Sequence, residues 1–374
     1  DIINSAPIYV STPDSNWPDD TSLFGDASNL YSSFKATARN AVVYVGANDG
    51  FLHGFLASSG DEVLAYAPSA VSSDSSNDGL HYLSESDYAH RYYVDGEVVS
   101  ADIFIKPDAA VAKSWRTALV GSLRGGGRGV FALDITDPTS YTNTDAAAEK
   151  TVLWEFTNQD DNNLGYTFST PQVAMLNNGK WAVVIGNGYN SGGLGTAQLM
   201  ILYIEEGVDG WAVGDYIKLD TGKGTPGTPN GLSTPTLVDL DGNNTIDRAY
   251  AGDLFGNMWA FDLSDAADSN WTIAHPASAP LFAAGVTKPI TMKPLVVKPD
   301  SSWINDTVGN TPNLMVYFGT GQYITVADIT NTDQQSFYGI WDAGVTVAST
   351  DLVEQTFLDS GNVDAKLLSR TAVT

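Results

Sequence analysis

The sequence predicts an all-β chain forming one domain over 1–374, a β-propeller with long decorating loops. Three observations carry that prediction. The composition favours strands, being rich in Gly, Asn, Thr, Ser, Asp and aromatics, with little 3.6-residue periodicity. A strand–turn–strand cassette recurs. A Pro-led strand precedes most copies of it.

The cassettes follow one another at regular intervals. The first joins Val42-Val43-Tyr44-Val45-Gly46 to Phe51-Leu52-His53-Gly54-Phe55 through Asn48-Asp49-Gly50. The second joins Ala118-Leu119-Val120-Gly121 to Gly129-Val130-Phe131-Ala132-Leu133-Asp134. The third is Val183-Val184-Ile185-Gly186 followed by a strand over 199–204, and the fourth is Ala249-Tyr250-Ala251-Gly252 with Met258-Trp259-Ala260-Phe261. The fifth is Met315-Val316-Tyr317-Phe318-Gly319 with Gly321-Gln322-Tyr323-Ile324.

The glycines closing the first strands, at 46, 121, 186, 252 and 319, are spaced 75, 65, 66 and 67 residues apart. Such spacing marks repeated blades, longer than the minimal blade of ~40–45 residues. Ser5-Ala6-Pro7, Ser169-Thr170-Pro171, Ser233-Thr234-Pro235 and Lys293-Pro294 each open a further strand, because Pro is tolerated at a strand's first residue. A fourth strand follows at Val152-Leu153-Trp154-Glu155-Phe156. Four-stranded units in tandem indicate a propeller. Five blades are legible, and a length of 374 residues suits seven, with the other two expected around 61–105 and after Thr325. The stretches 72–79, 139–150 and 221–230 read as loops.

Charge and composition narrow the function. Eighteen Lys and Arg against 44 Asp and Glu leave a net charge of −26, with no basic cluster for nucleic acid. The same surplus repels anionic lipid and favours cations or basic partners. Without cysteine there are no disulfides, Cys–zinc sites or thiol nucleophiles. No run approaches the ~20 apolar residues of a membrane helix. Asp1-Ile2-Ile3-Asn4 lacks the basic start of a signal peptide, so the chain reads as a mature or excised domain.

One loop carries metal chemistry. In Asp239-Leu240-Asp241-Gly242-Asn243-Asn244-Thr245-Ile246-Asp247, oxygen donors alternate: the side chains of Asp239, Asp241, Asn243 and Asp247, and the carbonyl of Thr245. Two carboxylates ~4 Å apart repel by about 1 kcal/mol in bulk water and roughly 4 at an effective dielectric of 20. A hard cation relieves that repulsion, and calcium, with 6–8 oxygen ligands, suits the spacing better than magnesium. The flanks read as strands. A helix–loop–helix hand is excluded, since its twelfth position would be Tyr250 rather than a bidentate Glu. Were the chain an extracellular module, calcium affinity would be on the order of 10⁻⁴–10⁻³ M, tighter with the loop rigidly held. The bland alternative is an acidic turn shaped by Gly242 and Asn244.

Other motifs read as structural. The glycines of Arg124-Gly125-Gly126-Gly127-Arg128-Gly129 are expected to supply positive φ at a blade turn, because a phosphate loop would open a helix and a strand follows here. The acidic stretches 14–20 and 158–163 read as solvated loops. His53, His81, His90 and His275 form no ligand pair of metal-site spacing, and no general base is marked. Nine Trp and seventeen Tyr could line a sugar site on a propeller face, a minor alternative; Trp154, Trp181, Trp259 and Trp341, in repeated strands, are expected between blades.

Five stretches resemble the C-terminal propeller domain of the PilC/PilY family, the tip-associated adhesins and biogenesis factors of bacterial type IV pili. They are 43–55, Tyr88-Ala89-His90-Arg91-Tyr92-Tyr93-Val94-Asp95-Gly96, 125–134, Leu164-Gly165-Tyr166-Thr167-Phe168-Ser169 and Ser336-Phe337-Tyr338-Gly339-Ile340-Trp341-Asp342. The resemblance covers nearly the whole chain. It implies a modified seven-bladed propeller with a calcium loop at 239–247, tied to control of pilus retraction. It also implies a non-enzymatic role in pilus extension, retraction and surface attachment, with pilin subunits and a host or abiotic surface as partners. The expected location is the cell surface or pilus tip, in the outer membrane or secreted. Some members carry Arg-Gly-Asp; no such tripeptide occurs here, so integrin binding is not implied. The alternatives are a quinoprotein-type dehydrogenase, whose adjacent-cysteine pair is impossible in this chain, and a sugar-binding propeller.

Overall fold

The computed structural model describes residues 1–24, 28–73, 75, 77–108, 110–299, 312–354, 357–359 and 368–370. Its strands form successive antiparallel sheets in chain order. The first sheet is β1 (Ile8–Val10), β2 (Val42–Gly46), β3 (Leu52–Leu56) and β4 (Glu62–Tyr66). The second is β5 (Val98–Ile105), β6 (Ser114–Ser122), β7 (Gly129–Asp134) and β8 (Val152–Thr157). The third is β9 (Gln172–Met175), β10 (Trp181–Gly186), β11 (Thr196–Tyr203) and β12 (Tyr216–Gly224).

The fourth sheet is β13 (Thr236–Val238), β14 (Arg248–Gly252), β15 (Asn257–Asp262) and β16 (Thr272–Ile273), with β17 (Phe282–Ala283) also on β15. The fifth is β18 (Leu295–Val297), β19 (Leu314–Gly319) and β20 (Phe337–Asp342). A hairpin, β21 (Phe357–Asp359) with β22 (Leu368–Arg370), ends the described chain. The all-β propeller class stands, with the five legible cassettes as five sheets. The region 61–105 forms no separate blade: it supplies β4 to the first sheet and β5 to the second.

Each core lies between two successive sheets. Alternate residues of β10 face opposite neighbours: Val183 and Ile185 pack with Trp115 and Trp154 of the second sheet, while Ala182 and Val184 pack with Trp259 and Phe261 of the fourth. A strand buried on both faces favours apolar residues at every position, which is why β10 and residues 199–203 of β11 read as continuous apolar runs. Trp154, Trp181 and Trp259 are buried there as expected, and Trp341 is half-buried with its indole N–H donating to Asn313 Oδ1 at 2.9 Å.

The strand-end glycines have a physical role. A Cβ on Gly186 would lie 2.2 Å from the Ser233 carbonyl oxygen, and one on Gly46 would lie 2.3 Å from that of Val94. Only a bare backbone lets each strand end touch the segment leading into the next blade. In the first and third sheets the leader Ser then closes its own blade: Gly46 N–H donates to Ser5 Oγ at 2.9 Å and Gly186 N–H to Ser169 Oγ at 3.0 Å. Pro7, Pro171, Pro235 and Pro294 sit just before their strands rather than inside them.

Several local expectations are corrected. Tyr323-Ile324 is not a strand: Asp328 accepts from the N–H groups of Ile324 (2.9 Å) and Thr325 (2.7 Å). That cap starts the 3₁₀ turn Val326–Thr330, and β20 pairs with β19 instead. The expected loop 139–150 contains the helix Asp145–Thr151, capped by Thr144, whose hydroxyl accepts from Ala147 N–H at 3.3 Å. The expected loop 221–230 begins inside β12, where Gly224 still pairs with Thr196.

Candidate metal centre

The loop 239–247 joins β13 to β14 in the fourth sheet, with Val238 paired to Arg248 at its base. Gly242 (φ 81°) and Asn244 (φ 71°) take the left-handed conformation that turns it. Backbone amides fold the acidic side chains inward. Asp239 accepts from Gly242 N–H (2.7 Å) and Asn244 N–H (2.8 Å). Asp241 accepts from Asn243 N–H (3.1 Å). Asp247, buried at 6% exposure, accepts from Leu240 N–H at 2.7 Å.

These bonds gather Asp239, Asp241 and Asp247 so that one oxygen of each lies within 4.8 Å of the others. Oxygens on opposite sides of a calcium ion, at ~2.3–2.6 Å each, are about 4.6–5.2 Å apart. Three carboxylate oxygens gathered this closely are within reach of one such ion. None of the three carboxylates is ion-paired among the described residues. The adjacent cation, Arg248, faces Asp262 at 3.7 Å.

Asn243 and Thr245 sit in the same loop with their polar groups partly engaged. Asn243 Oδ1 accepts from Thr245 N–H at 2.7 Å and from the Thr245 hydroxyl. That hydroxyl has a second acceptor, Asn177 Oδ1, at 2.7 Å. One hydroxyl proton serves one acceptor at a time. Donation to Asn177 frees a lone pair of Asn243 for an ion, and the Thr245 carbonyl is that residue's remaining donor.

Asn177 escaped the sequence reading. It lies in the β9–β10 turn of the preceding sheet, yet its Nδ2 donates to Asp247 Oδ1 (2.9 Å), the Ile246 carbonyl (3.0 Å) and the Leu263 carbonyl (3.1 Å). Beside it, Ile246 N–H donates to the Met175 carbonyl at 3.1 Å. The loop is thus stitched across an inter-blade seam. No motif marks Asn177, because Asn-Asn-Gly in a hairpin reads as an ordinary turn.

The other candidates are placed as follows. Asp161, read as solvated, is buried: it accepts from Tyr216 hydroxyl at 3.0 Å and pairs with Lys218 at 2.5 Å. Burial works against its charge, but the hydrogen bonds of Lys218 and Asn163 prevail and hold its carboxyl below the ordinary value. Among the described residues no histidine joins a metal cluster. His53 sits between Asp49 (3.0 Å) and Glu62 (2.5 Å), and His275 is buried 3.7 Å from Asp342. In the Gly-rich turn it is Arg124 that has positive φ (52°); Gly126 is required because a Cβ there would lie 1.7 Å from the Tyr93 carbonyl oxygen.

Comparison with known proteins follows the same lines. The family model of the PilY1 beta-propeller domain matches residues 1–372. The type IV pilus biogenesis factor PilY1 of Pseudomonas aeruginosa is 36% identical over 394 residues, covering 100% of this chain and 31% of that protein. A PilY1 homolog of Xylella fastidiosa is 36% identical over 370 residues, covering 97% of this chain and 26% of its own length. The chain therefore spans about a quarter to a third of these relatives. The crystal structure of the Pseudomonas aeruginosa PilY1 C-terminal domain superposes with a TM-score of 0.71 at 34% identity, covering 97% of this chain and 72% of that one. The chain belongs to the PilY1 β-propeller domain family.

Proposed function

We propose that this propeller is a calcium-binding, non-enzymatic module of a type IV pilus biogenesis and adhesion protein, acting at the cell surface or pilus tip. It would control pilus extension and retraction and contribute to surface attachment, with pilin subunits as partners. The observation that supports this reading is the cluster of Asp239, Asp241 and Asp247, three carboxylates without a cationic partner among the described residues. Asn243 and the Thr245 carbonyl complete the set of residues that would hold the ion. Bound calcium would neutralise the loop's mutual repulsion and stiffen it. Because Asn177 and Met175 tie the loop to the neighbouring blade, that stiffening would reach the blade seam. The loop then acts as a switch on a rigid scaffold.

The test combines calorimetry and cells. Asp247→Ala is expected to abolish calcium binding by the isolated chain while preserving its β-sheet circular dichroism. In the full-length protein the same change is expected to alter twitching and piliation. Unchanged calcium titration removes the site assignment; wild-type motility with calcium binding demonstrably lost removes the regulatory role.

A further inference from the structure

Three of the stretches that carry the family resemblance meet at a cleft far from the calcium loop in sequence, lined by the segments between β4 and β5 and between β6 and β7 and by Tyr166 between β8 and β9. It encloses about 560 Å³, within the range of small-molecule sites, ~300–1,000 Å³. Tyr92 stands in its wall, 44% exposed. Its ring backs on Gly125, where a Cβ would come within 3.1 Å of it, and the His90 ring lies perpendicular to it with centroids 5.4 Å apart. Tyr166 lines the cleft from the 164–169 stretch.

The wall is braced from behind. Tyr93 N–H donates to Asn48 Oδ1 at 3.0 Å, and the Tyr93 hydroxyl to the Gly79 carbonyl at 3.1 Å. Arg91 lies 3.7 Å over the Tyr82 ring and donates through Nη1 to Asp78 Oδ1 (2.9 Å) and the Asn77 carbonyl (3.1 Å). Its Nε and Nη2, like Asp78 Oδ2, have no partner among the described residues. A fixed aromatic face thus stands beside a donor fork and an acceptor of opposite charge.

We propose that this cleft binds a neutral saccharide. The exposed Tyr92 face suits the C–H face of a pyranose ring. The Arg91–Asp78 pair presents donors and an acceptor side by side, the complement of vicinal hydroxyls. The pair carries no net charge, and a chain of net charge −26 disfavours anionic ligands. A purely apolar ligand would leave the free guanidinium nitrogens desolvated without partners. Trp154, Trp181 and Trp259 are buried between blades, and the aromatic residues of this cleft are tyrosines and His90. It uses no residue of the loop 239–247 and stands whether or not that loop binds calcium.

Saturation-transfer NMR on the intact chain tests it, with glucose, galactose, mannose, N-acetylglucosamine and lactose as probes and sialyllactose as the anionic comparator. At least one neutral sugar is expected to receive transfer. Its affinity should fall about ten-fold or more in Tyr92→Ala, fall in Arg91→Ala, and persist in Tyr92→Trp, at unchanged unfolding temperature. No transfer to any neutral sugar, transfer indifferent to Tyr92→Ala, or a preference for sialyllactose overturns the proposal.

Discussion

Asn177→Ala tests whether the metal loop is held by the neighbouring blade. The substitution removes the amide that donates to Asp247 Oδ1, Ile246 O and Leu263 O and accepts from Thr245 Oγ1. Two amide protons serve three acceptors, so the loss amounts to about three hydrogen bonds. At roughly 0.5–1.5 kcal/mol each, with the bond to a carboxylate at the upper end, it costs about 2–4 kcal/mol. Unfolding entropy near 2.1 cal/mol/K per residue gives a chain of 374 residues about 0.8 kcal/mol/K. The unfolding temperature should therefore drop by about 3–5 °C. Calcium affinity should fall by about 10–100-fold, as when other outer partners of metal ligands are lost. Calorimetry reads the first quantity, and titration against a chelating dye reads the second. A variant with both quantities unchanged would refute the inter-blade tie.

Calcium itself should stabilise the chain: at about 100 times its Kd the gain is about 2.7 kcal/mol. This appears as a rise in unfolding temperature that EGTA reverses and Asp247→Ala lacks. Burial holds the His275 imidazole below its ordinary 6.5; Asp342 pulls the other way and Arg248 reinforces the shift. Tyr250 completes the surroundings through its bond to Asp342 at 2.7 Å. The unfolded chain takes up that proton first, so the contribution is intact above about pH 6.5 and is lost as pH falls through the folded value. Between pH 7 and pH 5 the wild type should lose more thermal stability than His275→Gln; parallel slopes would contradict this. Gly186→Ala places a methyl 2.2 Å from the Ser233 carbonyl oxygen, where both sides are backbone. It should cost about 1–3 kcal/mol or more in urea unfolding, whereas Gly227→Ala, with nothing within 4 Å, should be silent.

The blade pattern was legible because inter-blade packing imposes strict local demands. Gly46, Gly186 and Gly252 must lack a side chain where the next leader crosses, and β10 and residues 199–203 of β11 are apolar on both faces. Both demands appear as runs and spacings in the sequence. The fifth cassette misled because Tyr323-Ile324 has strand-forming residues, while the nearby Asp328 cap turned the chain into a 3₁₀ segment. The stretch 158–163 misled because its polar composition conceals that Asp161 is buried against Tyr216 and Lys218.

By itself the sequence determined the all-β blade repeat and the acidic loop between β13 and β14. Both arise from interactions among residues a few positions apart, in alternation and turn geometry. Tertiary structure alone decided that Asn177, 70 residues from Asp247, holds one of the loop's carboxylates. It also decided that Arg91 and Tyr92 share a cleft with Gly125 and Tyr166. Those contacts form only when successive sheets pack face to face, and nothing in local residue order encodes which turn of one blade will meet which loop of the next.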